Sequence, residues 1–171
     1  MAATIELYLV RHAIAAERGP KYPDDRLRPL TPAGSKKFAE CVPGLLKMDV
    51  AIDFVLTSPL VRARETAILL ASGLKPKPAV AEIEALAPGG RPQAINEAIK
   101  THEKKSRRLA LVGHEPDLGE LAARLLGARG NVEFKKGGVC LIETDGATPA
   151  GPGTLRWMLT PKTLRALAEC K

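Results

Sequence analysis

The sequence predicts an α/β protein with a single domain over residues 1–171, in which helices flank a largely parallel central sheet on both faces. Short apolar runs of strand length alternate with segments of helical spacing, and this alternation is typical of parallel sheets. One run, 109–112, is apolar throughout, as a central strand covered on both faces requires. The last third places two apolar runs close together, which predicts neighbouring strands at the edge of the sheet.

The first half of the chain predicts two strands, each followed by a helix. Thr31 and Pro32 form a helix start, with a hydroxyl cap and proline at the first position, and Pro43 should break or kink that helix. Ser58-Pro59 is a second cap, and Gly73 ends the second helix. The predicted elements are strand 5–10, a polar loop over 15–28 near the rim of the sheet, helix 31–46, strand 54–57 and helix 59–71.

The second half continues the alternation and then changes to strands. Pro116 opens the helix that follows the central strand, and Thr160-Pro161 caps a short final helix. The predicted elements are edge strand 80–83, turn 88–90, helix 93–105, strand 109–112, helix 116–126, strand 139–143, a turn-rich stretch over 145–153 and strand 155–159.

Composition excludes several classes of protein. Hydrophobic residues make up 45% and charged residues 26% of the chain, as in ordinary globular proteins, and no apolar segment is long enough to span a membrane. The sequence lacks the glycine-rich loops that bind ATP or dinucleotides and lacks metal-ligand spacing, so we expect no metal and no cofactor. Three widely spaced cysteines, Cys41, Cys140 and Cys170, indicate reduced thiols and a cytoplasmic location.

The net charge of +7 raises the question of an anionic partner. Aromatic residues are only 4%, too few for a surface that stacks bases, so we expect no nucleic acid as partner, and since no segment can span a membrane we expect no membrane partner. The densest basic run, 104–108, falls at a predicted helix end, where cations complement the helix dipole. A phosphorylated substrate would also benefit from the positive field.

Arginines and histidines occur where predicted strands end or a predicted helix begins. Arg11 and His12 follow the first strand, His114 follows the central strand, and Arg62 lies in the first turn of a helix. Parallel strands bring their carboxyl ends to one rim, where ligands bind. Arginine binds phosphate oxygens through a planar fork, and a neutral imidazole can attack phosphorus. The sequence therefore predicts a phosphate pocket that contains a nucleophile.

Other polar side chains near this rim have simpler interpretations. Arg64 fits a surface ion pair, and His102 fits an exposed position on a polar helix. Four residues of the predicted loop could meet a substrate, although a solvated loop is the simpler expectation. They are Asp24, Asp25, Arg26 and Arg28.

The segments LVRHA, RPLTPAG, TSPLVRARETA and LVGHEP resemble, in order and spacing, the histidine phosphatase superfamily, which has a phosphoglycerate mutase-like fold. The small size, RHA, the pattern Asp25-x-x-Arg28-Pro29-Leu30-Thr31, the short segment 83–90 and the ending WMLTP are similar to SixA-type phosphohistidine phosphatases. The resemblance implies that His12 is the phosphorylated nucleophile. It implies that Arg11, Arg62 and His114 bind and polarise the phosphoryl group.

Many larger relatives carry a glutamate general acid on an inserted segment before the strand that precedes His114. Here that region is short, and no residue matches cleanly. Glu84 is the nearest in sequence, while Glu115 and Asp117 are spatial candidates beside His114. A capping or surface role is the interpretation we favour for each of the three.

The resemblance implies a cytoplasmic, metal-independent phosphatase in signal transduction, acting on phosphohistidine in a protein such as a histidine phosphotransfer domain and releasing phosphate. Two alternatives remain open at this point. One is a phosphatase for a small phosphomonoester. The other is a phosphoprotein-binding module that keeps the pocket without turnover.

Overall fold

The strands of the computed structural model, which describes residues 4–146 and 152–170, form one sheet with the order β3-β2-β4-β1-β5-β6. Neighbours among β3, β2, β4 and β1 are parallel, whereas β5 is antiparallel to β1 and β6 is antiparallel to β5. The mostly parallel α/β fold is therefore confirmed. The strands are β1 Thr4–Arg11, β2 Phe54–Thr57, β3 Ala79–Glu82, β4 Arg108–Gly113, β5 Val139–Asp145 and β6 Thr154–Leu159.

Strand β4 lies between β1 and β2, as its uninterrupted apolar run predicts. The predicted edge positions are also confirmed, with β3 at one edge and β6 at the other. The turn-rich stretch predicted between the last two strands lies mostly outside the described residues.

Six α-helices occur within the described ranges, and one predicted helix break and one predicted helix start need correction. The helix predicted over 31–46 is two helices, and the break comes at Glu40 and Cys41, ahead of Pro43, which sits in the first turn of the second helix. Ser58-Pro59 does not cap the next helix, which begins at Val61. The helices are α1 Pro32–Ala39, α2 Val42–Lys47, α3 Val61–Gly73, α4 Pro92–Glu103, α5 Asp117–Leu125 and α6 Pro161–Glu169.

Two apolar clusters cover the two faces of the sheet. Alternation along β1 sends Tyr8 and Val10 to one cluster and Leu7 and Leu9 to the other. Helices α1, α2, α3 and α6 pack on the first face, and α4 and α5 pack on the second. Helices on both faces are thus confirmed, and none of the described helices has the length and apolarity needed to cross a membrane.

Gly34 brings the start of α1 against the backbone that follows β1. A Cβ at position 34 would lie 2.2 Å from the carbonyl oxygen of Ile14, so only glycine fits there. The N–H of Thr31 donates to the same oxygen at 3.0 Å, and the Thr31 hydroxyl accepts from the N–H of Gly34 at 2.9 Å. These contacts fix the rim segment that begins at His12.

His102 and the basic run also differ from expectation. His102 is half-buried, and its ring lies 4.6 Å from the ring of Phe54 between centroids. Within the run 104–108, Arg108 begins β4 and forms an ion pair with Asp53.

Arg64 forms the predicted surface ion pair, with Glu82 at 3.5 Å. Cys41, Cys140 and Cys170 are unpaired thiols.

Candidate active site

His12 lies directly beyond the carboxyl end of β1, between β4 and α3. Its backbone N–H donates to the carbonyl of Gly113 at 3.0 Å, and the following N–H of Ala13 donates to the Thr66 hydroxyl at 3.0 Å. The ring Nδ1 lies 2.7 Å from the carbonyl oxygen of Ala13. In the neutral ring Nδ1 therefore carries the proton, which leaves the lone pair on Nε2.

His114 follows the end of β4 and faces His12, with 5.0 Å between the ring centroids. Its Nε2 lies 2.8 Å from the hydroxyl oxygen of Ser58, which also accepts from the N–H of Leu60 at 3.2 Å. Since Ser58 accepts from that backbone group, its own proton is free to donate to Nε2. When Ser58 donates to Nε2, the proton of neutral His114 lies on Nδ1.

Arg62 is almost wholly buried, at 2% exposure, and occupies the first turn of α3. Its two terminal nitrogens donate to Asp25, one to the backbone oxygen at 2.8 Å and one to the carboxylate at 2.9 Å. Arg28 donates to the other carboxylate oxygen at 3.0 Å. Asp25 and Arg28 are therefore parts of the site, and the solvated-loop interpretation is wrong for both.

Arg11 is fixed on the opposite side of the pocket, at the last position of β1. Its Nη1 donates to the backbone oxygen of Phe134 at 2.5 Å, and the N–H of Phe134 donates to a Glu115 carboxylate oxygen at 2.7 Å. Glu115 thus reaches the site indirectly, because it holds the segment that holds Arg11.

Three buried side-chain nitrogens have no hydrogen-bond partner within the described ranges: Arg11 Nε, Arg62 Nε and His114 Nδ1. Buried donors are normally paired, and leaving one unpaired costs about 1–3 kcal/mol. All three belong to residues that surround His12. The oxygens of an oxyanion are acceptors of the kind that such donors bind.

Burial and neighbouring cations keep both histidines neutral. Burial is the main cause that lowers the pKa of His12 to about 4, and Arg62 and Arg11 lower it further. Burial likewise lowers the pKa of His114 to about 3, with added repulsion from His12 and Arg62. Burial would raise the pKa of Asp25, but Arg62 and Arg28 bring it below its usual value. A neutral His12 is the nucleophilic form at physiological pH.

The three candidate general acids make contacts of other kinds. Exposed Glu84 pairs with Arg26 at 2.8 Å, Glu115 accepts from the N–H groups of Phe134 and Gly119, and Asp117 accepts from the N–H of Gly89 at 2.8 Å. The contact of Glu84 is a surface ion pair, as expected, whereas Glu115 and Asp117 hold backbone N–H groups of other segments, which the capping or surface interpretation did not foresee. In the described part of the chain, no group of three His, Cys, Asp or Glu side chains could hold a metal ion.

The sequence placed Arg11, His12, Arg62 and His114 on one rim, and the structure brings the four together. It missed Ser58, which was interpreted as a helix cap, and the roles of Asp25 and Arg28. The contact of Asp25 with Arg62 spans 37 positions of the chain. No local pattern reports such a contact, although the two acidic residues that precede two arginines in 24–28 were a usable signal.

The fold and this site define a class of protein in which a histidine beyond the first strand faces a phosphate pocket. A family model described as "Histidine phosphatase superfamily (branch 1)" matches residues 7–137, so the chain belongs to this superfamily. Membership supports phosphatase activity.

Individual proteins are similar to this chain in sequence or in fold. The chain is 39% identical over 147 residues to an uncharacterized protein of Picosynechococcus sp., covering 84% of this chain and 87% of that protein. The fold of this chain is similar to that of the protein histidine phosphatase SixA complexed with tungstate, with a TM-score of 0.82 and 24% identity. The match covers 94% of this chain and 99% of that one. A protein from Nakamurella multipartitia described as a putative phosphohistidine phosphatase SixA gives a TM-score of 0.76 at 24% identity, and the match covers 94% of this chain and 98% of that one.

Proposed function

We propose that this protein is a metal-independent phosphatase that hydrolyses phosphohistidine in another protein through a phosphohistidine intermediate on His12. The observation that carries the proposal is the set of three unpartnered buried donors, Arg11 Nε, Arg62 Nε and His114 Nδ1, around a histidine whose Nε2 is free. Such a site can bind a phosphoryl group and attack it.

The reaction has two balanced steps. In the first, Nε2 of neutral His12 attacks phosphorus, the P–N bond of the substrate breaks, and the departing imidazole takes up a proton. In the second, water attacks the phosphoryl group on His12, which releases inorganic phosphate and restores the neutral ring. Donors from Arg11, Arg62 and His114 stabilise the charge on the phosphoryl oxygens in both steps.

The contacts of the carboxylates favour an N–P substrate over an alkyl ester. An alkyl phosphate expels an alkoxide, for which a positioned proton donor contributes about 10²–10⁴-fold. Glu84, Glu115 and Asp117 are each engaged in an ion pair or with backbone N–H groups. An imidazole is a much better leaving group and can be protonated by water.

A protein substrate is consistent with the short segment between β3 and α4, which spans 83–91 and leaves the rim uncovered by an inserted domain. A phosphorylated histidine on a helix surface, as in a histidine phosphotransfer domain, could then reach His12. We accordingly place the protein in cytoplasmic phosphotransfer signalling, where it would remove phosphoryl groups from the carrier.

The test is a comparison of kcat/KM for phosphohistidine, phosphoaspartate and phosphoserine in proteins and for sugar and glycerate phosphates, with the wild type and His12→Ala. We expect phosphohistidine to be the best substrate, His12→Ala to be inactive, and chelators to have no effect. A higher kcat/KM for a small phosphomonoester would establish the small-molecule alternative. Tight phosphoprotein binding without turnover would establish the binding module.

A further inference from the structure

A groove of about 370 Å³ lies beside the segment that follows His12 in the chain. Ala13, which follows His12, lines it, and so does Gly137, whose N–H donates to the backbone oxygen of His12 at 3.0 Å. Helix α1, the segment 135–137 and the start of α6 form its walls. The groove therefore adjoins the backbone of His12.

The floor of the groove is apolar and its rim is cationic. Ile14, Phe38 and Pro161 contribute apolar surface, and the Ile14 side chain is 39% exposed although it is large and hydrophobic. The rim carries Lys37, Lys135, Lys136, Lys162 and Arg165, and no lining residue is acidic.

The lysines of the rim lack acidic partners among the described residues. Across residues 4–146 and 152–170, none of Lys37, Lys135, Lys136 and Lys162 forms an ion pair. The four lysines therefore keep their charges unpaired, and they surround one concave surface. Their common field attracts an anionic ligand.

The surface on the His114 side has the opposite charge. A second cavity, of about 310 Å³, is lined by Glu115, Glu120 and Glu133, and no cation lines it. An acidic ligand is attracted to the His12 side and repelled from the His114 side. The two surfaces together set the direction in which a chain would leave the catalytic site.

We infer that the groove, defined by its rim residues Lys37, Lys135, Lys136, Lys162 and Arg165, binds an acidic polypeptide segment adjoining the phosphorylated histidine of the protein substrate. This inference rests on the proposed function. The apolar floor of the groove suits apolar side chains of a bound segment in which they alternate with acidic ones. Nucleic acid fits less well, because the groove has only one aromatic side chain, Phe38, which is buried and cannot stack with bases.

The test uses two phosphohistidine peptides that differ only in having glutamate or glutamine around the histidine, together with phosphoimidazole as a substrate without flanks. The variant is Lys37→Glu/Lys162→Glu, which reverses two charges of the rim. Its matched control is Lys104→Glu/Lys105→Glu, at the exposed end of α4 before β4, whereas the site lies beyond the other end of that strand. Neither pair belongs to the catalytic machinery.

We expect the wild type to show a KM lower by about tenfold for the glutamate peptide than for the glutamine peptide, with a steeper dependence on salt concentration than the glutamine peptide shows. Lys37→Glu/Lys162→Glu should remove this difference and leave the rate on phosphoimidazole unchanged. The control should keep the difference. The neutral variant Lys37→Gln/Lys162→Gln should give an intermediate KM.

Equal KM values for the two peptides in the wild type would contradict the binding of an acidic segment in the groove, while the proposed phosphatase activity would still stand. A loss of preference in the control as large as in the rim variant would contradict that binding as well. Fluorescence anisotropy with the unphosphorylated glutamate peptide tests binding without chemistry. Binding that depends on Lys37 and Lys162, in a protein that cleaves no P–N bond, would refute the proposed function and support the groove. Stronger binding of an oligonucleotide of equal charge would refute a polypeptide occupant.

Discussion

The hydroxyl of Ser58 is the hydrogen-bond partner of Nε2 of His114, and it can direct the ring proton to Nδ1 by donating to Nε2. It lies 2.8 Å from Nε2 and accepts from the N–H of Leu60, so it presents its own proton to the ring. The proton of neutral His114 is thereby directed to Nδ1, the nitrogen that has no partner. Ser58 is a positioning residue that acts through His114.

We predict that Ser58→Ala raises the inhibition constant of inorganic phosphate and lowers kcat/KM by roughly tenfold each, since one oriented hydrogen bond contributes about 0.5–1.5 kcal/mol. Ser58→Thr, which keeps a hydroxyl, should restore most of both. Exposed Ser72 on the same helix provides the control Ser72→Ala. Equal phosphate inhibition of the wild type and Ser58→Ala would show that His114 needs no such partner.

The carboxylates beside the rim provide a second prediction. Glu84→Gln, Glu115→Gln and Asp117→Asn should each reduce kcat/KM less on phosphohistidine than on an alkyl phosphate, because only the alkoxide needs a positioned acid. Glu115→Gln should affect both substrates somewhat, since Glu115 supports the Phe134 segment that holds Arg11. The measurement is kcat/KM on both substrates for the three variants. One variant inactive on phosphohistidine would identify an essential acid and contradict this account.

Helix α1 acts on the site by fixing the backbone that follows His12. Its approach depends on Gly34, where a Cβ would come within 2.2 Å of the Ile14 carbonyl oxygen. Helix α1 ends and α2 begins at Glu40 and Cys41, and this break lets α2 pack against α6. There, Gly44 lies so near that a Cβ would come within 2.0 Å of the Leu164 oxygen.

We predict that Gly34→Ala lowers the free energy of unfolding by about 1–3 kcal/mol, as overpacking against a fixed backbone does, and lowers kcat at 25 °C. Gly130→Ala is the matched control, because a Cβ at position 130 meets nothing within 4 Å. Urea unfolding and steady-state kinetics measure the two effects. If Gly34→Ala were as stable and active as Gly130→Ala, the close approach of α1 would have no role in shaping the site.

Across the whole molecule, the features that the sequence reveals are the local ones. Strand β2 has the predicted bounds, and β4 is central as predicted, because an unbroken apolar run fits few other positions. Arg11, His12, Arg62 and His114 could be placed on one rim because each adjoins a strand end or a helix start. Ser58 could not be recognised, since its partner His114 is 56 positions away.

The two neutral histidines should make the stability of the molecule depend on pH. Their pKa values fall from 6.5 to about 4 for His12 and to about 3 for His114, so between these values the unfolded chain binds protons that the folded chain does not. The free energy of unfolding should then decrease as the pH falls, by roughly 1–2 kcal/mol per histidine between about pH 6.5 and 5. Urea titrations at both pH values measure it. His12→Gln/His114→Gln should show a weaker decrease, and an unchanged slope would contradict buried neutral rings.

The central claim is that His12 carries the phosphoryl group during turnover. The most direct measurement is rapid quenching of a single turnover with radiolabelled phosphohistidine protein, followed by peptide mapping. We expect up to one phosphate per molecule, stable to base and labile to acid, on the peptide that contains His12, and none in His12→Ala. Label on His114 instead, or turnover with no labelled enzyme at any quench time, would contradict the account.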